Sequence, residues 1–236
     1  MADAGVRVAS YNTRDFLDDA RLAARLVRAI DPDVLCLQEV PRRLFGGRRL
    51  AGFARRCGLR PTGRHWGSGG TTVLLADRVE LLAAGRRRLP VRWPDRTRGW
   101  AWARVRLPSG ADLTAASVHL PLRPDERARH VAQVLTALAD VDPLVVAGDL
   151  NEETGPVWRA LDQPGRLRLV APAAPTFPAR SPRRRIDAVF ASPSLRALPH
   201  REVVVPEAAW ARASDHRAVW VDLEVVGRVE GVSTGS

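Results

Sequence analysis

Lysine is missing altogether: the chain has 236 residues, and all 37 of its cationic side chains are arginine. The formal net charge of +11 therefore rests on guanidinium groups alone. Such a charge points to a polyanionic partner, nucleic acid or an anionic surface. An arginine-only cation set also follows from genome-wide base composition, so charge by itself leaves both origins open. Cysteine is nearly absent. Cys36 and Cys57 are too few for a disulfide framework, and Cys36 reads as a small buried hydrophobe. A reducing, cytoplasmic setting is expected. No apolar run approaches the roughly 18 residues that span a bilayer. Residues 1–5 lack a basic start ahead of an apolar core, so no signal peptide is expected either. Hydrophobic residues make up 45% of the chain, which excludes wholesale disorder. Without an internal repeat or a linker, one domain over 1–226 is expected, acting as a monomer, with a disordered tail over 227–236.

What the chain does have is a series of short apolar runs that end in polar residues. The clearest is 144–147, bounded by Pro143 and Gly148, which reads as a buried strand and emerges into Asp149 and Asn151. If the strand continues, those two side chains share a face and project together from a sheet rim. The other reading is an Asp/Asn turn. Residues 6–11 and 34–37 also read as strands, delivering Asn12 and then Gln38 and Glu39. Further strands are expected at 71–75, 79–84, 185–190, 203–205 and 218–226. A hairpin over 102–107 and 113–118 ends at His119. Helical stripes cover 15–30, 125–138 and 154–161, and a basic helix interrupted by Gly46-Gly47 covers part of 44–57. Residues 162–184 read as a long loop. Between 86 and 100, Arg86, Arg87, Arg88, Arg92, Arg96 and Arg98 interleave with Trp93 and Trp100, a composition suited to phosphates and stacked bases. Trp100 and Trp102 are expected to pack into the core, whereas Trp93 sits in a loop and stays open to both readings.

Asn12, Glu39, His119, Asp149, Asn151, Asp187, Asp215 and His216 thus recur at strand ends. Each alone is an ordinary cap or turn residue. Together, carboxylates without thiolates suit a hard cation such as Mg²⁺ or Mn²⁺, and a histidine beside an aspartate suits a general base.

The ordered set Tyr11-Asn12, Gln38-Glu39-Val40, Val118-His119-Leu120, Gly148-Asp149-Leu150-Asn151, Arg185-Ile186-Asp187 and Ser214-Asp215-His216 resembles the endonuclease/exonuclease/phosphatase superfamily, the DNase I-like fold. The resemblance runs from residue 6 to 226. It implies an α/β fold, a four-layer α/β/β/α sandwich of two mainly antiparallel sheets with flanking helices. It also implies divalent-metal-dependent phosphodiester hydrolysis, here by an endonuclease or exonuclease on nucleic acid. Carried over by position, Glu39 is the principal metal ligand, Asn12 assists it, and Asp215 is a second-metal or supporting ligand. Asp187 orients His216, a general base or phosphate-polarising group. Asp149 positions water, Asn151 stabilises developing charge, and His119 contacts the scissile phosphate. Arg14, Arg127, Arg185 and Trp93 are the substrate-contact candidates. Arg14 departs from the abasic-site endonucleases, which have an acidic residue there, and resembles the deoxyribonuclease branch; the short 119–149 segment and the absence of paired cysteines depart from that branch in turn. Phosphatases or phosphodiesterases acting on small metabolites or lipid head groups share the catalytic set. A non-catalytic nucleic-acid-binding module would be expected to lack a catalytic residue, and none is missing.

Overall fold

A computed structural model describes residues 5–42 and 44–227. One six-stranded sheet contains β1 (Gly5–Asn12), β2 (Val34–Gln38), β3 (Leu59–Pro61), β4 (Thr72–Ala76), β11 (Leu195–Ala197) and β12 (Val219–Val225), in the order β11-β12-β1-β2-β4-β3. The other contains β5 (Glu80–Leu89), β6 (Arg98–Arg106), β7 (Asp112–His119), β8 (Leu144–Asp149), β9 (Arg168–Leu169) and β10 (Asp187–Ala191), in the order β5-β6-β7-β8-β10-β9. Two neighbouring pairs are parallel, β1 with β2 and β7 with β8; the rest are antiparallel. A parallel pair needs a crossover. Helix α1 (Ala20–Ile30) supplies one and α3 (Pro124–Ala137) the other.

Burial explains why these runs are strands. Every residue of β2, β4, β8 and β10 is buried, as continuous apolar runs require when both sheet faces are covered. Between the sheets, Val8, Val34, Cys36 and Val73 meet Ala103, Val105, Ala115, Val145 and Val189. The first sheet's outer face packs against α1, α2 (Gly46–Cys57) and α5 (Glu207–Ala213), through Leu26, Ile30, Leu50, Phe53 and Trp210. On the second sheet's outer face lie α3 and α4 (Pro156–Leu161), through Val131, Val134 and Trp158, with Trp100 and the partly buried Trp102. The result is the four-layer sandwich. Both cysteines are free and buried, and burial pushes each thiol up to about 12. Among the described residues no helix is long and apolar enough to cross a membrane.

Several boundaries differ from expectation. The helix expected from residue 15 starts at Ala20, because Asp19 caps it by accepting from the N–H groups of Arg21 and Leu22; Arg14–Phe16 forms a separate 3-10 turn. Gly46 and Gly47 begin α2 rather than interrupting it, and a Cβ on Gly46 would lie 2.2 Å from the Pro41 carbonyl oxygen. The 203–205 run is not a strand; Val204 is 96% exposed, and Leu195–Ala197 takes the edge of β12 instead. Arg86, Arg87 and Arg88 lie on β5, an edge strand that runs on past the expected 79–84 to Leu89. The expected tail falls beyond the described residues after Gly227.

Gly148 shows how tightly the sheet is closed around the site. A Cβ there would sit 1.9 Å from the Val118 carbonyl oxygen. Gly148→Ala should therefore destabilise by at least the roughly 1–3 kcal/mol typical of overpacking, read as a shift in the urea midpoint; an unchanged midpoint would show that β7 and β8 can separate without cost.

Candidate active site

The site forms where strands from both sheets end. Within the second sheet the register aligns His119 with Asp149 and Asp149 with Asp187, so β7, β8 and β10 present three ionisable side chains in a row. From the first sheet, β1 ends at Asn12 opposite Gln38 of β2, and Glu39 follows. Polar bridges between side chains join the sheets here. Asn12 Nδ2 donates to Asp149 Oδ2 at 2.9 Å, and Gln38 Nε2 donates to Ser117 Oγ at 3.0 Å. Such buried groups hold register because each left alone would cost about 1–3 kcal/mol. The loop ahead of β12 is pinned by Ser214 Oγ, which donates to the Asn12 carbonyl at 2.7 Å. His216 enters from this loop.

His216 Nδ1 lies 2.9 Å from Asp187 Oδ2, which also accepts from Thr176 Oγ1 at 2.5 Å. The ring packs against Phe177, centroids 4.9 Å apart, and its Nε2 lies 3.8 Å from Asp149 Oδ2. Burial alone would lower the imidazole's pKa, but Asp187 and then Asp149 override it and raise it to about 10. Asp149 is raised to about 6, chiefly by its own burial, against the opposing pull of His216. His119 behaves oppositely. Its Nε2 is 3.4 Å from Asp149 Oδ2 and 3.8 Å from Glu39 Oε1, and neither ring nitrogen has a hydrogen-bond partner among the described residues. Burial first, then the charges of Arg98, His216 and Arg42, hold it well below the usual imidazole range, so it is neutral. The site thus contains one imidazole biased to carry a proton and one biased against it.

The remaining expected residues are distributed unevenly. Asp149 and Asn151 do not share a strand face: β8 stops at Asp149, Asn151 has φ 51°, and its N–H donates to Asp149 Oδ1 at 2.9 Å. The turn reading is the one that holds. Asn151 Nδ2 then donates to the Leu120 carbonyl at 2.8 Å, tying the ends of β7 and β8 together. Glu39 has φ 50°, and its side chain, 24% exposed, makes no hydrogen bond among the described residues. Asp215 faces Arg14, whose Nε is 3.5 Å away. Arg185 stacks its guanidinium on Trp158, 4.8 Å from the ring centroid. Trp93 is 90% exposed on the loop between β5 and β6. Arg127 corrects its expected place at the substrate. It is 8% exposed, donates to Glu152 at 3.1 Å and to the Leu122 carbonyl at 2.5 Å, and so braces the scaffold.

Sequence reasoning did not find Thr176, which lies in the proline-rich 162–184 segment where no periodicity marks it. Nor did it single out Arg98. That side chain is 8% exposed, donates to the Leu120 carbonyl at 3.3 Å, and feels the charges of Glu39 and Asp149. Its arginine-rich context was visible, but its place depends on Gly99 pairing with His119.

A divalent cation fits these donors. Ligand atoms of Asp149, Asp187 and His216 lie within 4.8 Å of one another, Asp187 Oδ1 is buried without a hydrogen-bond partner among the described residues, and the Glu39 carboxylate lies 3.8 Å from His119, whose Nε2 is 3.4 Å from Asp149. Carboxylate oxygens without thiolate suit a hard ion.

The fold recurs among solved structures. The endonuclease/exonuclease/phosphatase from Beutenbergia cavernae DSM 12333 superposes with a TM-score of 0.72 at 23% identity, over 94% of this chain and 72% of that one. Humanized D. rerio TDP2 gives 0.72 at 19%, over 94% and 100%. The human Nocturnin catalytic domain with bound sulfate anion gives 0.68 at 20%, over 93% of each. No curated protein matches the chain. Residues 9–216, which include every strand-end residue of the site, match the model of one family, and the chain belongs to it: the Endonuclease/Exonuclease/phosphatase family.

Proposed function

We propose that this phosphoesterase is a divalent-metal-dependent phosphodiesterase that cleaves nucleic acid, as an endonuclease or exonuclease, by in-line attack of water. The observation that carries the reading is the cluster of Asn12, Asp149, the two histidines and Asp187, buried together at the mouth of both sheets. Asp187, fixed by Thr176, orients His216 and leaves its Nε2 turned towards Asp149. Raised to about 10, His216 is protonated at neutral pH and serves as a donor to phosphoryl oxygen. Asp149 orients the attacking water, and neutral His119 assists the leaving group. Glu39 is the assigned Mg²⁺ or Mn²⁺ ligand, with Asn12 and Asp215 in support. When bound, the ion would polarise phosphoryl oxygens and, by its charge, lower the proton affinity of the imidazole beside the carboxylates. Nucleic acid is favoured as substrate by the net charge of +11.

The test is hydrolysis of a chromogenic phosphodiester beside plasmid and single-stranded DNA, with Mg²⁺, with Mn²⁺ and with chelator. Cleavage of DNA that is lost on chelation and falls steeply with salt is the expected result. Hydrolysis of the small ester with DNA intact would replace the reading by a metabolite or lipid phosphoesterase. Silence on all substrates would replace it by a binding module.

A further inference from the structure

We infer that the groove beside the site is a binding subsite for the unpaired flank of a single-stranded nucleic acid, with a base stacked on Trp66 and the adjoining phosphate among Arg42, Arg49, Arg88 and Arg96. The inference rests on the nucleic-acid reading above and adds the strand state of the substrate.

The groove has a volume of about 640 Å³ and begins at Pro41 and Arg42, just beyond Glu39. That volume suits a nucleotide-sized group and is far too small for a duplex. Its lining carries those four arginines against Asp15 and Asp95, an excess of two positive charges (4 − 2). Each arginine is anchored through one guanidinium nitrogen. Arg42 Nη1 donates to the Thr97 carbonyl at 2.8 Å, Arg49 Nη2 to the Phe16 carbonyl at 3.0 Å, Arg88 Nη2 to Thr97 Oγ1 at 3.2 Å and Arg96 Nη1 to Asp15 at 2.7 Å. The other nitrogens of all four have no hydrogen-bond partner among the described residues. Planar forks held in place with free donors are what a phosphate needs. Arg42 also links groove to site, since its charge is one of those that depress His119.

Trp66 is the second element. Its indole is 63% exposed on the groove wall, while its carbonyl accepts from Arg86 Nε, so the backbone is pinned and the ring is presented. An exposed indole beside fixed guanidinium groups is a stacking platform for an unpaired base; in a duplex the base faces are already stacked. Trp93, the stacking candidate read from sequence, does not line this groove.

The experiment measures fluorescence anisotropy of a 3′-labelled hexathymidylate and of a labelled blunt hairpin duplex, in chelator so that nothing is cleaved. The expected result is tighter binding of the single strand, weakened roughly 5- to 150-fold by Trp66→Ala. The Arg88→Ala/Arg96→Ala double variant should flatten the salt slope by about 1.4, two phosphate contacts at roughly 0.7 each for single strands. All three substituted side chains are exposed, and unchanged melting temperatures would confirm intact variants. Equal affinity for hairpin and single strand, a Trp66→Ala effect under twofold, or displacement by thymidine monophosphate as readily as by oligonucleotide would each overturn the inference. Single-strand binding by a wild-type protein that cleaves nothing would sustain it while refuting the hydrolase reading. DNA cleavage with groove variants that bind normally would do the reverse.

Discussion

Glu39→Ala should abolish divalent-metal-dependent hydrolysis and leave the melting temperature within a few degrees of wild type. The reasoning is geometric. The Glu39 carboxylate is partly exposed, makes no hydrogen bond among the described residues, and lies 3.8 Å from His119. Removing it costs the fold little, because what holds this residue is its backbone: its carbonyl accepts from the Asp15 N–H at 2.6 Å and from Thr13 Oγ1 at 3.3 Å. Its left-handed conformation, φ 50°, survives in alanine at similar strain. A charged side chain held in a strained position without a structural partner is placed for a ligand. Isothermal titration with Mn²⁺ beside the chromogenic assay would check this; undiminished activity and unchanged Mn²⁺ affinity would move the principal metal site to the Asp149–Asp187–His216 cluster.

His216→Ala should lower kcat by roughly 10²–10⁴-fold with KM little changed, the signature of an interaction made chiefly in the transition state. The same substitution should alter the pH dependence of stability in the chelated protein. The folded pKa of His216 is raised to about 10, above its unfolded value of about 6.5. Its contribution to stability is therefore fully present below about pH 6.5 and lost as pH rises through 10. Wild type should lose more stability than His216→Ala between those limits, as followed by urea unfolding at a series of pH values. Parallel curves would mean that Asp187 and Asp149 do not hold the proton on this ring.

Asn12, Glu39, His119 and Asp149 were legible because each lies at the end of an apolar run, and burial on both faces keeps such runs free of polar interruptions; Asp187 opens its strand and Asp215 and His216 precede theirs, so for these the ordered motif set carried the reading. Legibility ended where placement depends on a distant partner. Nothing local in Asp149 says that His119 and Asp187 will flank it; that depends on β7 and β10 pairing with β8. Thr176 reaches Asp187 because its own N–H and the Arg217 N–H fix the loop, through the Arg184 and Thr176 carbonyls respectively. Arg127 was misplaced for a related reason: helical spacing does not reveal that its guanidinium turns inward to Glu152. The 203–205 run failed as a strand because β-branched residues need a pairing edge, and Leu195–Ala197 already takes that of β12.

The order of the strands has a consequence for synthesis. The second sheet is one continuous stretch, from β5 to β10, whereas the first draws on both ends of the chain, β1 pairing with β12. The second sheet can therefore pair its strands while the chain is still being made. The first cannot complete itself until β12 has been made. His216 arrives on that last segment, pinned through Ser214 to Asn12. A nascent chain thus has no finished centre, even once Glu39, His119, Asp149 and Asp187 are all present, until the segment from His216 to β12 has been made.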